Sequence, residues 1–354
     1  MDSRFFDSGF ASLEAYVPGE QPKDRKYIKL NTNESPFPPS EKAVAAAAEA
    51  AKQLQLYPDP TCAELTAAVA AMCGVSPDEV LLTNGSDEIL NIAFMAFCDD
   101  AHPAVFPDIT YGFYKVFAEL GGVPYRTVPL KDDLSIDPAD YAAANGTIFI
   151  ANPNAPTGLS LSLEEIEGIL KANPDNVVVI DEAYVDFGGV SCIPLISRYD
   201  NLLVTQTFSK SRSMAGARLG FGVGCADLIR DLNTVKYSTN PYNINRLTMA
   251  AGLGTLADEA YTRANCATVA ATREATREAL LAMGFEVTKS ETNFLFAKHP
   301  RIGGEALYTA LKERGILVRH FAQPRIADYV RITIGSESEM HQFLNTVKTI
   351  LEGC

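Results

Sequence analysis

Positive charge is scarce in this sequence. Its 354 residues carry 30 Lys and Arg against 44 Asp and Glu, a net charge of −14, and the sequence pI is about 4.8. A nucleic-acid-binding protein needs a basic face and a domain pI above about 9, so nucleic acid is excluded as a partner, and any anionic substrate must be held by a few locally placed cations. Long apolar runs are missing too. Ile89 to Phe97, broken by Asn91, and Val177 to Ile180 fall far short of the roughly 18 residues of a spanning helix, so no membrane segment is expected. The opening MDSRFFDSGF has acids where a secretion signal needs a basic stretch ahead of an apolar one, and no such signal is expected. The cysteines, Cys62, Cys73, Cys98, Cys192, Cys225, Cys266 and Cys354, form no CxxC pair; their odd number argues against a disulfide framework and for a reducing cytoplasm. His102, His299, His320 and His341 stand in no HExxH or HxxxH spacing, so no metal is expected.

What is present is a globular chain, 47% hydrophobic and 21% charged, of a length at which a single core stops growing and two domains are the natural division. Residues 20–40 carry Pro22, Pro36, Pro38 and Pro39 among polar groups and read as an extended arm ahead of a helical stretch, Ser40 to Leu54. Apolar runs then alternate with helical patterns: Val80–Thr83, Ser86–Phe97, Ala104–Phe106, Gly112–Leu120, Thr147–Ala151, Ser162–Ala172, Val177–Ile180 and Leu202–Thr207. Strands this apolar cannot have a wet face, which predicts a mainly parallel sheet flanked by helices. After the turn-rich Ser238–Asn243 comes a long helical pattern, Asn245 to Met283, interrupted near Thr255–Asp258. Strand-like segments follow at Glu286–Thr288, Phe294–Ala297, Leu317–Arg319 and Tyr329–Thr333, with helices at Gly304–Arg314 and Glu337–Glu352. The expected class is therefore α/β with a smaller α+β domain: arm 1–40, large domain 41–244, small domain 245–354.

Chemistry concentrates at strand ends. Asp181 follows the apolar strand of VVVIDEAYVDF, at the carboxyl edge where parallel sheets bind ligands. Leu202–Thr207 delivers Ser209 and Lys210 to the same edge, and eight residues on comes Arg218 in SMAGARLGFGVG, read as a glycine-rich turn. Asn84-Gly85-Ser86-Asp87 opens the helix after Val80–Thr83, and the free N–H groups of a helix start favour a phosphate. Singly, each has an ordinary explanation: an N-cap, a solvated lysine, a tight turn. Together they match the needs of pyridoxal phosphate, which requires a lysine for covalent attachment, an acid to keep its ring nitrogen protonated and a cradle for its phosphate.

On these residues, and on AYVPGEQ, LNTNESPFPPS, YPDP, TNGSDEIL, TYGFY, NPNAPTG, PYNINRLT, ETNFLFA and YVRITIG, the chain resembles the fold-type I pyridoxal-phosphate-dependent aminotransferases, and among them the histidinol-phosphate aminotransferases. The resemblance implies that Lys210 binds the coenzyme covalently and shuttles the substrate Cα proton. It also implies that Asp181 pairs with the ring nitrogen, Tyr184 hydrogen-bonds the phenolic oxygen and Tyr111 stacks on the ring. Gly85, Ser86, Asp87, Thr207, Ser209 and Arg218 are implied to hold the phosphate, with Tyr57 reaching in from the neighbouring subunit of a homodimer with shared active sites. Arg331 and Asn33 are implied for substrate binding, Arg319 for the substrate phosphate and Tyr16 for the same pocket. The substrates implied are an amino acid or amino phosphate and a 2-oxo acid.

One departure concerns NPNAPTG. The family places Asn directly before the Pro of PTG, where this chain has Ala155; Asn154, one residue earlier, is the candidate to replace it, with Tyr184 acting alone as the alternative. Transfer between glutamate and imidazole-acetol phosphate leads, beside the same chemistry on aromatic amino acids and decarboxylation of threonine phosphate. A regulator of transcription would need a basic helix-turn-helix segment ahead of this unit, and a dinucleotide oxidoreductase would need GxGxxG where the chain has Gly220 to Gly224 as GFGVG.

Overall fold

The computed structural model describes residues 5, 6, 10, 13 and 19–353; Tyr16 and Cys354 lie outside the described residues. The arm contributes β1 (Ile28–Lys29). Ser40, whose hydroxyl accepts from the Ala43 N–H, then opens α1 (Glu41–Ala50). In chain order follow α2 (Ala63–Cys73), β2 (Val80–Thr83), α3 (Ser86–Phe97), β3 (Ala104–Pro107), α4 (Phe113–Gly121), β4 (Tyr125–Val128), β5 (Thr147–Ala151), α5 (Leu163–Ala172), β6 (Val178–Asp181), β7 (Leu202–Thr207) and β8 (Gly220–Gly224). The remainder is α6 (Ala226–Thr239), α7 (Arg246–Leu256), α8 (Glu259–Ala282), β9 (Glu286–Val287), β10 (Phe294–Lys298), α9 (Gly304–Glu313), β11 (Ile316–Leu317), β12 (Arg319–His320), β13 (Tyr329–Thr333) and α10 (Glu337–Glu352).

Strands β2 to β8 form one sheet in the order β2-β8-β7-β6-β5-β3-β4. Successive residues alternate between its faces: Phe149, Val179 and Leu203 pack with Ile89, Phe94 and Phe117 of α3 and α4, whereas Ile148, Ile180 and Val204 pack with Leu65, Val69 and Ile166 of α2 and α5. Burial on both faces explains the unbroken apolar runs of the sequence. Strands β3 to β7 pair in parallel, and β8 runs antiparallel to both neighbours, β2 and β7.

β8 corrects the glycine-rich turn expected at Gly220–Gly224: the segment is a fully buried strand. Its glycines serve close approach. A Cβ on Gly220 would stand 2.5 Å from the backbone of Gly85 and Ser86, and one on Gly222 would stand 2.0 Å from Ile89 Cδ1, so only a bare strand lets α3 lie directly on it.

A second core joins α8, α9 and α10 to an antiparallel sheet of order β12-β13-β10-β9. The single strand expected over Leu317–Arg319 is divided. Ile316 and Leu317 pair in parallel with Ile28 and Lys29 of the arm, Val318 turns into the core, and Arg319 pairs with Arg331 of β13. Leu30 follows β1 into this second core. α7 instead sends Ala251 into the core of the larger sheet, and the helix break expected near Thr255–Asp258 falls at Ala257 and Asp258.

Candidate active site

Nine of the residues singled out in the sequence line one pocket at the carboxyl edge of the parallel strands: Ser86, Asp87, Tyr111, Asp181, Tyr184, Thr207, Ser209, Lys210 and Arg218, with Ala151, Ala155 and Ala183 completing the wall. Asp181 ends β6, in register with Ala151 of β5 and Thr205 of β7. Its carboxylate is buried and accepts from Tyr114 OH at 3.1 Å, Thr205 Oγ1 at 3.3 Å and the Ala183 N–H at 3.3 Å. Burial outweighs these donors and pushes its pKa up to about 6. A carboxylate so placed is stabilised by a cationic partner.

Tyr114 was not singled out in the sequence. It closes TYGFY, three residues after Tyr111, a spacing that turns both rings to one side of the α4 start; the rings meet edge to face with centroids 5.7 Å apart. Glu182, next to Asp181, is a second buried acid. It accepts from Ser191 Oγ, the Cys192 N–H and Gln206 Nε2 at 2.7, 2.5 and 2.8 Å, and burial pushes it up to about 7.

Opposite the acid is an anion cradle. Gly85 at the start of α3 has φ of 79°, and the helix has no side-chain cap there, whereas Ser40, Ser162 and Ser336 cap α1, α5 and α10. The first-turn N–H groups of α3 are left for another acceptor. A Cβ on Gly85 would lie 2.5 Å from Arg218 Nη2, so the guanidinium rests directly against the bare backbone. Arg218 itself has φ of 57°, and it donates to Asp87 Oδ2 at 2.8 Å and Ser209 Oγ at 3.3 Å. Tyr111 OH donates to the other Asp87 oxygen at 2.6 Å. The Asp87 carboxylate therefore orients Arg218 and Tyr111 and is no ligand for an anion; only its N–H suits that part.

Three consecutive arm residues close the pocket. The Asn31 carbonyl accepts from Arg331 Nη2 at 3.1 Å, the Thr32 carbonyl from Lys210 Nζ at 3.3 Å, and Asn33 Nδ2 donates to Tyr184 OH at 2.9 Å. Lys210 Nζ also stands 5.8 Å from the centre of the Tyr184 ring. Arg319 and Arg331 are direct partners across β12 and β13, and both guanidinium carbons lie near the Phe321 ring, at 5.8 and 5.7 Å from its centre. Like charges set opposite each other in a ladder repel, and the Glu20 carboxylate lies in the field of Arg319.

Arg319 and Arg331 stand outside the pocket wall, and two further expected residues, Asn154 and Tyr57, are engaged elsewhere. Asn154 is buried with its amide occupied: Oδ1 accepts from Thr110 Oγ1 at 2.7 Å, and Nδ2 donates to the Ile109 carbonyl at 3.0 Å and Thr157 Oγ1 at 3.1 Å. It cannot take over from the missing Asn; the Ala155 methyl forms the wall there. Tyr57 is 79% exposed and stacks on Tyr242, with centroids 4.8 Å apart.

Residues 25–347 match the family model for aminotransferase class I and II. A histidinol-phosphate aminotransferase of Marinomonas sp. is 51% identical over 352 residues, 98% of this chain and 100% of that protein. Histidinol-phosphate aminotransferase 2 of Dechloromonas aromatica is 51% identical over 98% of this chain and 99% of its own length. The fold matches the crystal structure of histidinol-phosphate aminotransferase from Sinorhizobium meliloti in complex with pyridoxal-5'-phosphate, with a TM-score of 0.89 at 22% identity and 99% of each chain covered.

Proposed function

This chain belongs to the class I and II aminotransferases, and from that premise we propose that it moves an amino group between glutamate/2-oxoglutarate and histidinol phosphate/imidazole-acetol phosphate, in two half-reactions on pyridoxal phosphate. The observation that supports the choice of a phosphate-bearing substrate is the cross-strand register of Arg319 with Arg331: two arginines on one face of a sheet edge, both near Phe321, suit a doubly charged group with bidentate hydrogen bonds.

The residues fit the coenzyme. The uncapped α3 start, the Gly85 and Gly220 contacts that a Cβ would fill, Ser209 and Arg218 would hold its phosphate; buried Asp181 would face its ring nitrogen and Tyr111 its ring. Bound there, pyridoxal phosphate supplies a carbonyl carbon for the amino group and a ring that draws electrons from the substrate Cα. Lys210 Nζ is the attachment point and the group that takes and returns the Cα proton. Asp181, held by Tyr114 and Thr205, keeps a negative charge in a dry site, where it acts strongly on a nearby cation. Asn33 fixes the Tyr184 hydroxyl, and Arg331, tied to the Asn31 carbonyl, orients the substrate's anionic end.

The proposal extends to a homodimer, supported by exposed Tyr57, Leu54, Leu56 and Tyr242 on one stretch of surface, with Tyr57 serving the neighbouring pocket. It takes the arm as 1–40, the coenzyme-holding part as 41–244 and the small part as 245–354, with α7 packed on the large part. A cytoplasmic location is part of it; among the described residues no helix is long and apolar enough to cross a membrane. An aromatic amino donor is the second reading, favoured by the Phe321 ring beside both arginines. A half-reaction screen decides. Histidinol phosphate, phenylalanine, tyrosine and threonine phosphate are added singly to the yellow holoenzyme and its bleaching is followed. Histidinol phosphate is expected to react with the highest kcat/KM; faster bleaching by phenylalanine or tyrosine establishes the second reading instead.

A further inference from the structure

The segment carrying Tyr57 is pinned from behind. The Pro60 carbonyl accepts from two consecutive residues at the end of α6, Lys236 Nζ at 3.4 Å and Tyr237 OH at 3.1 Å, and the Tyr57 carbonyl accepts from Arg246 Nη2 at 2.7 Å. Within the segment Asp59 accepts from the Thr61 and Ala63 N–H groups, each at 2.9 Å. Fixing backbone costs conformational entropy, yet the Tyr57 side chain remains 79% exposed, so this chain alone gains little burial in return.

Lys236 makes the arrangement costlier still. It is only 3% exposed, its hydrogen bond among the described residues goes to the Pro60 carbonyl, and it lies 4.8 Å from the centre of the Tyr237 ring. Burial lowers its pKa against the opposing influence of Cys62, Glu88 and Asp59. A Met or Leu would fill the same space without desolvating an ammonium. Its hydrogen bond among the described residues goes to one carbonyl of an exposed loop, in the field of Asp59 and Glu88.

We infer that Lys236, with Tyr237 and Arg246 beside it, is a positioning residue that presents Tyr57 to the active site of a second copy of this chain, so that its influence is felt in the partner's pocket and not in its own. The inference rests on the proposed two-chain enzyme. Its rival is an effect within one chain, through Glu88 in the first turn of α3, which lies in the field of Lys236.

Mixed dimers separate the two. Lys236→Met is expected to weaken retention of pyridoxal phosphate on dialysis, and transamination, by about tenfold, the scale of a lost hydrogen bond to a charged group; Lys236→Arg restores most of both. Differently tagged Lys210→Ala and Lys236→Met chains are then co-expressed and the mixed dimer purified. If Lys236 acts across the interface, one site carries both lesions and the other none, and the mixed dimer has about half the wild-type activity and one tightly held coenzyme. If it acts within its own chain, both sites are damaged and activity falls to about a twentieth, which overturns the inference. A Tyr57→Ala and Lys210→Ala pair is the control. Recovery there without recovery in the Lys236 pair sinks this inference alone, whereas no recovery in either sinks the shared-site reading as well. Should Lys236→Met fail to fold, Tyr237→Phe, which loses only a hydroxyl, goes through the same pairing; unchanged coenzyme retention in that variant counts against the inference.

Discussion

The two regions proposed to hold anions are built on different plans. At the α3 start the donors are backbone N–H groups laid on a bare strand, and the one guanidinium, Arg218, is held in a fixed pose by Asp87 and by the missing Cβ of Gly85. At the β12–β13 edge the donors are two guanidiniums on long stems, Arg319 starting a strand of two residues. The first region cannot change without refolding the sheet, whereas the second can change with one codon. On the proposed assignment, coenzyme binding is written into the fold and substrate choice into a few side chains beside it.

Substitutions test that contrast. The largest effect belongs to the sheet side: Asp181→Ala lowers kcat by about a thousandfold or more, while Asp181→Glu keeps part of it, measured with saturating coenzyme; equal activity in all three proteins breaks the assignment. Next is Gly85→Ala. With φ of 79° and a Cβ 2.5 Å from Arg218 Nη2, it is expected to raise the coenzyme dissociation constant by about a hundredfold, on strain of roughly 1–3 kcal/mol plus a displaced ion pair. An unchanged constant refutes a backbone-built cradle.

On the side-chain plan, Arg319→Ala is expected to lower kcat/KM for histidinol phosphate about tenfold to a hundredfold and to leave phenylalanine nearly unaffected. Coenzyme retention stays normal, and a uniform loss on both substrates erases the contrast. The smallest effect is that of Tyr114→Phe, which removes one donor from Asp181 at a cost of about 1 kcal/mol, a severalfold fall in kcat. It also acts on pH dependence. Asp181 and Glu182 have carboxyl pKa values raised in the folded chain, to about 6 and about 7. At these two positions the folded chain keeps protons that the unfolded chain has already released, and their contribution to the stability of the coenzyme-free protein declines as pH rises from about 4 to about 7. Melting temperatures of the apoprotein across that range should fall; Asp181→Asn should flatten the lower part of the curve and Tyr114→Phe move it to higher pH.

Much of this was legible because periodicity and apolarity report burial. Thr147–Ala151 and Leu202–Thr207 are strands with the bounds read from sequence, since a strand buried on both faces has no other reason to be so apolar. β8 was hidden by its glycines, whose purpose is the approach of α3, a contact between segments over a hundred residues apart. β12 was hidden because Arg319 belongs to a different sheet from Leu317 two residues before it. Within the site, the motif residues that carry charge at strand ends were legible. Tyr114 was not, because its role is a hydrogen bond to a residue 67 positions away. The sequence also could not disclose that the Asn154 amide is spent on Thr110, Ile109 and Thr157.

The reversed direction of β8 has one more consequence. Because β7 ends and β8 begins at the same edge of the sheet, the stretch from Phe208 to Leu219 leaves and returns at one doorstep, carrying Lys210 near its exit and Arg218 near its return. Its two feet are tied, Phe208 N–H to the Leu219 carbonyl at 2.9 Å. Related chains can therefore lengthen or shorten the middle of this loop without shifting the register of any strand, and the distance between the reactive amine and the anchoring guanidinium is inherited from the sheet rather than from the loop's length.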